Sequence, residues 1–182
     1  MSSVLNRYFL KKDVLTNTGL LVLRLAIGTM MIHHGQEKLA NPESFAAAYL
    51  VPLHMPFPNV MAHVAGLSEI LGSWFVILGF LTPIGALALV GTMAVAGYHH
   101  ILTSGFNIYL LELVVLYLGG SLAILLNGPG CFSIDAGIVA DLLASEEVDA
   151  PSPSFTDRHY ADPAPVMVRA EVIAGPSNAG RH

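Results

Sequence analysis

Four apolar runs, each close to twenty residues long, organise the chain. They read from Gly19 to Leu39, from Val60 to Leu81, from Pro83 to Leu102 and from Ile108 to Leu126. An α-helix needs ~20 residues to cross the hydrocarbon core of a bilayer. Lipid offers no partner to exposed backbone groups, so each run is read as a continuous helix. The interruptions carry breakers. The linker Ala40–Asn59 holds Pro42, Pro52, Pro56 and Pro58, with a short interfacial helix expected over Ser44–Leu53. Thr82-Pro83 forms a tight helical hairpin, because proline suits the first turn of a helix. Thr103–Asn107 contains Gly105 and reads as a turn, and Asn127-Gly128-Pro129-Gly130 stops the fourth run. The predicted fold is all-α: an integral membrane four-helix bundle with a disordered polar C-terminal tail. Its expected parts are an N-terminal segment over 1–18, a four-span domain over 19–136 and an acidic, then proline-rich tail over 137–182. Beyond residue 145 no apolar periodicity persists, and residues 146–182 read as flexible.

Composition sharpens this picture. Hydrophobic residues make up 54% of the 182 and charged residues 12%, about half the share usual in soluble proteins. Between Lys38 and Asp135 the only formal charges are Glu43, Glu69 and Glu112. Such a stretch cannot present a polar surface to water. The net charge of −5 gathers at Asp135, Asp141, Glu146, Glu147 and Asp149, leaving no basic surface for nucleic acid. A single cysteine, Cys131, excludes an intrachain disulfide and any multi-cysteine metal motif. The first apolar run is long enough to span and lacks a small-x-small cleavage site, so no cleaved signal peptide is expected. Arg7, Lys11 and Lys12 precede the first span, whereas the opposite side offers only Lys38. By the positive-inside rule both termini are expected in the cytoplasm, with the protein in a bacterial inner membrane.

Ionisable groups within spans are costly and normally face the bundle interior. Arg24, Gly28, Met31, Gly35 and Lys38 fall on one stripe of the first helix. Ala62, Ala65, Gly66, Gly72 and Ser73 share the face of Glu69, while Tyr109, Leu116, Gly119 and Ala123 share that of Glu112. Small residues permit close helix approach, so all three charged groups are expected to face inward. Arg24 is then expected to interact with Glu69, Glu112 or both; it differs from Glu69 by roughly 10 Å in depth, and Glu112 has His34 or His99 as its more natural partner. Such a pair fixes the register of the bundle; alternatively, the carboxylates form a proton- or ligand-binding site. His33, His34, His63, His99 and His100 gather near one end of the spans, with His54 in a loop there. This pattern fits an interfacial polar collar better than a metal centre. No H-E-x-x-H or C-x-x-C accompanies it, and no metal site is assigned.

Several ordered motifs resemble the DoxX family of small four-helix membrane proteins. They are Leu23-Arg24-Leu25-Ala26-Ile27-Gly28 through His34-Gly35-Gln36-Glu37-Lys38, then Leu67-Ser68-Glu69-Ile70-Leu71-Gly72 and Leu78-Gly79-Phe80-Leu81-Thr82. Glu112 and the ending Gly128-Pro129-Gly130 through Ser133-Ile134-Asp135 complete the series. The likeness covers about residues 20–136. Pro83 stands where the family commonly has arginine, and the tail beyond Ser145 matches nothing in the pattern. The resemblance implies the four-helix fold, and a link through some relatives to sulfur-compound oxidation with electrons passed to quinone, or to oxidative-stress complexes.

Three functions follow as expectations. The first is a membrane accessory subunit that supports or anchors a membrane complex, through a protein partner or as a homo-oligomer. The second is a quinone-reactive oxidoreductase subunit, and the third a small transporter. The candidate polar network is Arg24, His34, Lys38, Glu69, His99 and Glu112. No cofactor motif is evident, and quinone is the one cofactor that the resemblance brings into question.

Overall fold

A computed structural model describes residues 8–10 and 13–149 of the chain. Helix α1 (Val14–Ala40) begins five residues before the apolar run, because Asp13 caps it by accepting from the Thr16 N–H at 2.8 Å. A four-residue helix, α2 (Pro42–Phe45), starts on the Asn41 cap and continues into a π-helical turn over Ala46–Leu50. The interfacial helix expected there is thus shorter and differently wound. Next come α3 (Pro58–Leu78), α4 (Thr82–Ser104), α5 (Ile108–Asn127) and α6 (Ile134–Asp149). The described residues include no strand, and α1, α3, α4 and α5 are each long and apolar enough to cross a membrane. Over the described residues the chain is an all-α integral membrane protein with four spans.

Helix α6 corrects one boundary. The acidic segment expected as tail from residue 137 is helical to Asp149, with Asp135 in the first turn where the helix dipole favours a carboxylate. The chain divides into two units, 1–147 and 148–182. Of the second, only the last two residues of α6 are described. The flexible tail expected over 150–182 lies outside the described residues, as do Arg7, Lys11 and Lys12.

Glycine decides how closely the spans approach. A β-carbon at Gly35 would come within 2.8 Å of the Gly66 carbonyl oxygen, and one at Gly72 within 3.0 Å of that of Gly85. Helices α1 and α3 therefore touch backbone to backbone, as do α3 and α4. Lipid tails are as apolar as leucine, so close packing rather than hydrophobic exclusion holds such helices together. The core gathers Ile27, Met31, Val76, Leu89, Met93, Tyr117 and Ile124 from all four spans. A second cluster, Ala46, Leu50 and Ala62, seats the π-helical turn on the start of α3.

Candidate ligand site

The two polar centres of the bundle lie at opposite ends of the α1–α3 contact. At one end, Arg24 is almost wholly buried. Its Nε donates to the Val76 carbonyl at 2.7 Å and Nη2 to that of Ile77 at 2.8 Å. Nη1 donates to the carbonyls of Pro129 and Phe132, each at 2.8 Å. Val76 and Ile77 belong to the last turn of α3, where helix carbonyls lack intrahelical partners and the dipole is negative. The guanidinium fork thus ties the end of α3 to the segment that follows α5.

Asp135 completes that joint. Its carboxylate accepts from the backbone N–H of Leu81 at 2.8 Å and of Thr82 at 2.9 Å, capping α4 from a distant part of the chain. Its own N–H donates to the Gly79 carbonyl at 2.8 Å. Gly79 closes α3 in the left-handed region (φ 66°), where a side chain would also strike Arg24 and Ser133. Asn17 accepts from the Cys131 N–H at 3.0 Å, and the Tyr8 hydroxyl donates to the Leu125 carbonyl at 2.6 Å. Burial, and after it the Asp135 carboxylate, raise the Tyr8 phenol above its ordinary pKa, which keeps the donated proton in place. This end is a structural clamp.

The other end is different. Gly35 and Gly66 bring α1 and α3 together, and one turn further along each helix Lys38 and Glu69 form an ion pair. Glu69 is fully buried; Lys38 is largely so and also lies over the Phe45 ring at 5.2 Å. Beside the pair opens a cavity of about 850 Å³, walled by all four spans and by the α2 segment. That size falls within the range of small-molecule sites. Its walls are mainly apolar, and its polar lining includes His34, Lys38, Tyr49, His99 and His100. The Tyr49 ring, on the π-helical turn, stands 4.9 Å from the buried His99 ring, and the His34 ring stands 5.4 Å edge-on from Tyr117.

Two buried polar atoms at this end lack hydrogen-bond partners: Glu69 Oε2 and His99 Nδ1. An ammonium group has three donors, and Glu69 uses one of those of Lys38. The lining therefore retains donor capacity at Lys38, with the His99 ring on the same cavity. His34 faces Glu37 at 3.4 Å. Apart from the two glutamates and the lysine, the polar groups named here are imidazole and phenol rings.

The structure thus redistributes the expected network. Arg24 and Glu69 do face inward, but they do not pair: Arg24 binds backbone carbonyls and Glu69 binds Lys38. Glu112 is exposed, and its neighbours Tyr109 and Leu116 are 82% and 66% exposed. The inward face of α5 is instead Leu111, Tyr117, Ser121 and Ile124. Neither His34 nor His99 has Glu112 as a partner; His34 joins Glu37, and His99 packs on Tyr49 and His100. The sequence reading missed Tyr49, Tyr117 and the capping role of Asp135. Only Asp135 left a trace, as the last position of the glycine-proline motif. Among the described residues, no three His, Cys, Asp or Glu side chains cluster as metal ligands.

Residues 19–101 match the family model described as DoxX, which takes in most of α1, all of α3 and nearly all of α4, with Arg24, His34, Lys38, Glu69 and His99. No curated protein and no solved structure matches the chain.

Proposed function

We propose, from the match of residues 19–101 to the DoxX family model, that this membrane protein is an accessory subunit whose cavity holds a ring-headed amphipathic ligand of the quinone class for a membrane complex. The observation behind this reading is Lys38, paired with the buried Glu69, on the wall of a mainly apolar cavity that His99 also lines, with spare donors on Lys38. Quinone oxygens accept hydrogen bonds, and Lys38 and His99 would supply them. The apolar walls exclude water from the ring, and Tyr49 offers it an aromatic face. The paired lysine adds no net charge, so a neutral headgroup suits the site better than an anion. A quinone supplies two-electron, two-proton carrier chemistry when bound; the chain's own contribution is to bind, orient and shield it.

Purification of the full chain in mild detergent tests this reading directly. Mass spectrometry of the extract should find quinone, and a benzoquinone without a side chain should bind saturably. His99→Phe keeps the ring shape but removes the nitrogens, and should weaken that binding about tenfold, the worth of one hydrogen bond. Absence of saturable binding would sink the ligand-holding role. A stoichiometric protein partner without quinone would leave a purely anchoring subunit.

In the same reading the chain sits in a bacterial inner membrane with the cavity on the non-cytoplasmic side. Arg7, Lys11 and Lys12 before α1 support this orientation, and four crossings return the end of α5 to the starting side. Reporters fused after Asp13, Val51, Gly105 and Asp149 should report inside, outside, outside and inside. Any other order refutes the topology.

A further inference from the structure

A second hollow, of about 400 Å³, lies against the first. It is lined by Leu53, His54, Met55 and Pro56 from the α2–α3 loop and by Ala94, Val95 and Tyr98 of α4. Leu53, Met55 and Val95 line both spaces, so the two meet along apolar side chains. The inner space carries Lys38 and His99, whereas the outer has no carboxylate, lysine or arginine. Polarity therefore falls from the inside outward. Ala94, Val95 and Tyr98 are exposed on α4, on a helix that spans the membrane, so the outer hollow opens where lipid lies. The loop forming its other side bends through left-handed backbone at His54 (φ 53°) and Phe57 (φ 51°), conformations rarely taken by residues other than glycine.

We infer that the outer hollow is the exit path for a hydrocarbon chain attached to the ligand's ring, passing between the Leu53–Pro56 loop and α4 into the bilayer. This rests on the ring-binding reading above and adds the ligand's class: a neutral ring bearing a long apolar tail. The path does not need to attract the tail. Lipid is as apolar as Val95, and a chain gains little by leaving one for the other. What the path provides is room, so that a ring seated among Lys38 and His99 can keep its tail in the membrane. A plug in the outer hollow should then discriminate by chain and leave the ring site intact.

The test compares two probes on the full chain in one detergent: a benzoquinone ring without a side chain, and the same ring with a ten-carbon alkyl chain. Ala94 lines only the outer hollow and is exposed, so Ala94→Trp fills it without touching the ring site. The ratio of long-chain to short-chain affinity should fall about tenfold in that variant, an overpacking cost borne only by the tail. The short probe should bind as it does to the unaltered protein. Taking the ratio between proteins cancels the partitioning of the tail into detergent. Ala94→Leu, a smaller plug, should give a smaller fall in the same direction and guards against misfolding by the tryptophan. An unchanged ratio with both probes bound overturns the exit path while leaving the ring site standing. Loss of copurifying phospholipid with an unchanged ratio also overturns it, since a membrane acyl chain then fills the hollow. Failure of both probes to bind the unaltered protein removes the ring-binding reading itself.

Discussion

Arg24→Gln should destabilise the bundle by at least about 3 kcal/mol. Glutamine is too short and has too few donors to reach the carbonyls of Val76, Ile77, Pro129 and Phe132 together. Each acceptor stranded away from water costs about 1–3 kcal/mol. Water cannot easily replace the guanidinium there, because the group is almost wholly buried. Arg24→Lys should recover little. A lysine keeps the charge, but its three donors radiate from one atom and cannot span acceptors on two separate segments as the planar fork does. Thermal unfolding in a fixed detergent, read beside the yield of monodisperse protein, measures the loss. A melting temperature for Arg24→Gln within two degrees of the unaltered protein would refute the clamp.

The same measurement separates Arg24 from Glu69. Glu69 stands seven residues before Val76 on α3, about 10 Å along the helix axis, and shares no hydrogen bond with Arg24. Groups that far apart without a common partner add. Arg24→Gln and Glu69→Gln should therefore combine additively, contrary to the coupling that their inward-facing stripes lead one to expect.

Lys38 and Glu69 should behave in the opposite way. Lys38→Met or Glu69→Gln alone should cost about 3–5 kcal/mol, because either leaves a buried group without its counter-charge. The double substitution should cost clearly less than the sum, since the charge stranded by each single change is then gone. The pair's low exposure licenses this magnitude; an ion pair at the surface would give less than about 1 kcal/mol. Simple additivity would show that the pair is not energetically coupled. Binding of the short benzoquinone gives an independent readout. The double variant should fold better than either single variant yet bind the ring more weakly, because Lys38 is the cation on the cavity wall. Restored stability with unweakened binding would confine the pair to a structural role.

The sequence alone was enough for the class of the protein and the positions of its crossings. Lipid demands long apolar helices and tolerates almost no charge, and both demands leave marks visible in any twenty-residue window. The observed spans differ from the apolar runs mainly at their ends, where a cap such as Asp13 or an αL glycine such as Gly79 sets the boundary. The α1 and α3 faces were legible too. Arg24, Gly28, Met31 and Gly35 are buried together on one helix, and Ala62, Gly66, Glu69 and Ser73 on the other, because glycine stripes mark where backbones meet. The orientation of α5 was not legible. That helix is apolar nearly all round, lipid and core are equally acceptable to leucine, and Gly119 on the Glu112 face turned out to face outward. Nor could the sequence choose which cation meets Glu69. Arg24 and Lys38 lie on one stripe of α1, and the Gly35–Gly66 contact fixes the register that sets Lys38 beside the carboxylate. Arg24 makes its hydrogen bonds to the carbonyls ending α3 and following α5 rather than to an acidic side chain. Those acceptors belong to the backbone and become available only where helices end, so no side-chain pattern announces them. The cavity is likewise a tertiary product: its walls come from four spans and a π-helical turn, and it exists only once they are assembled.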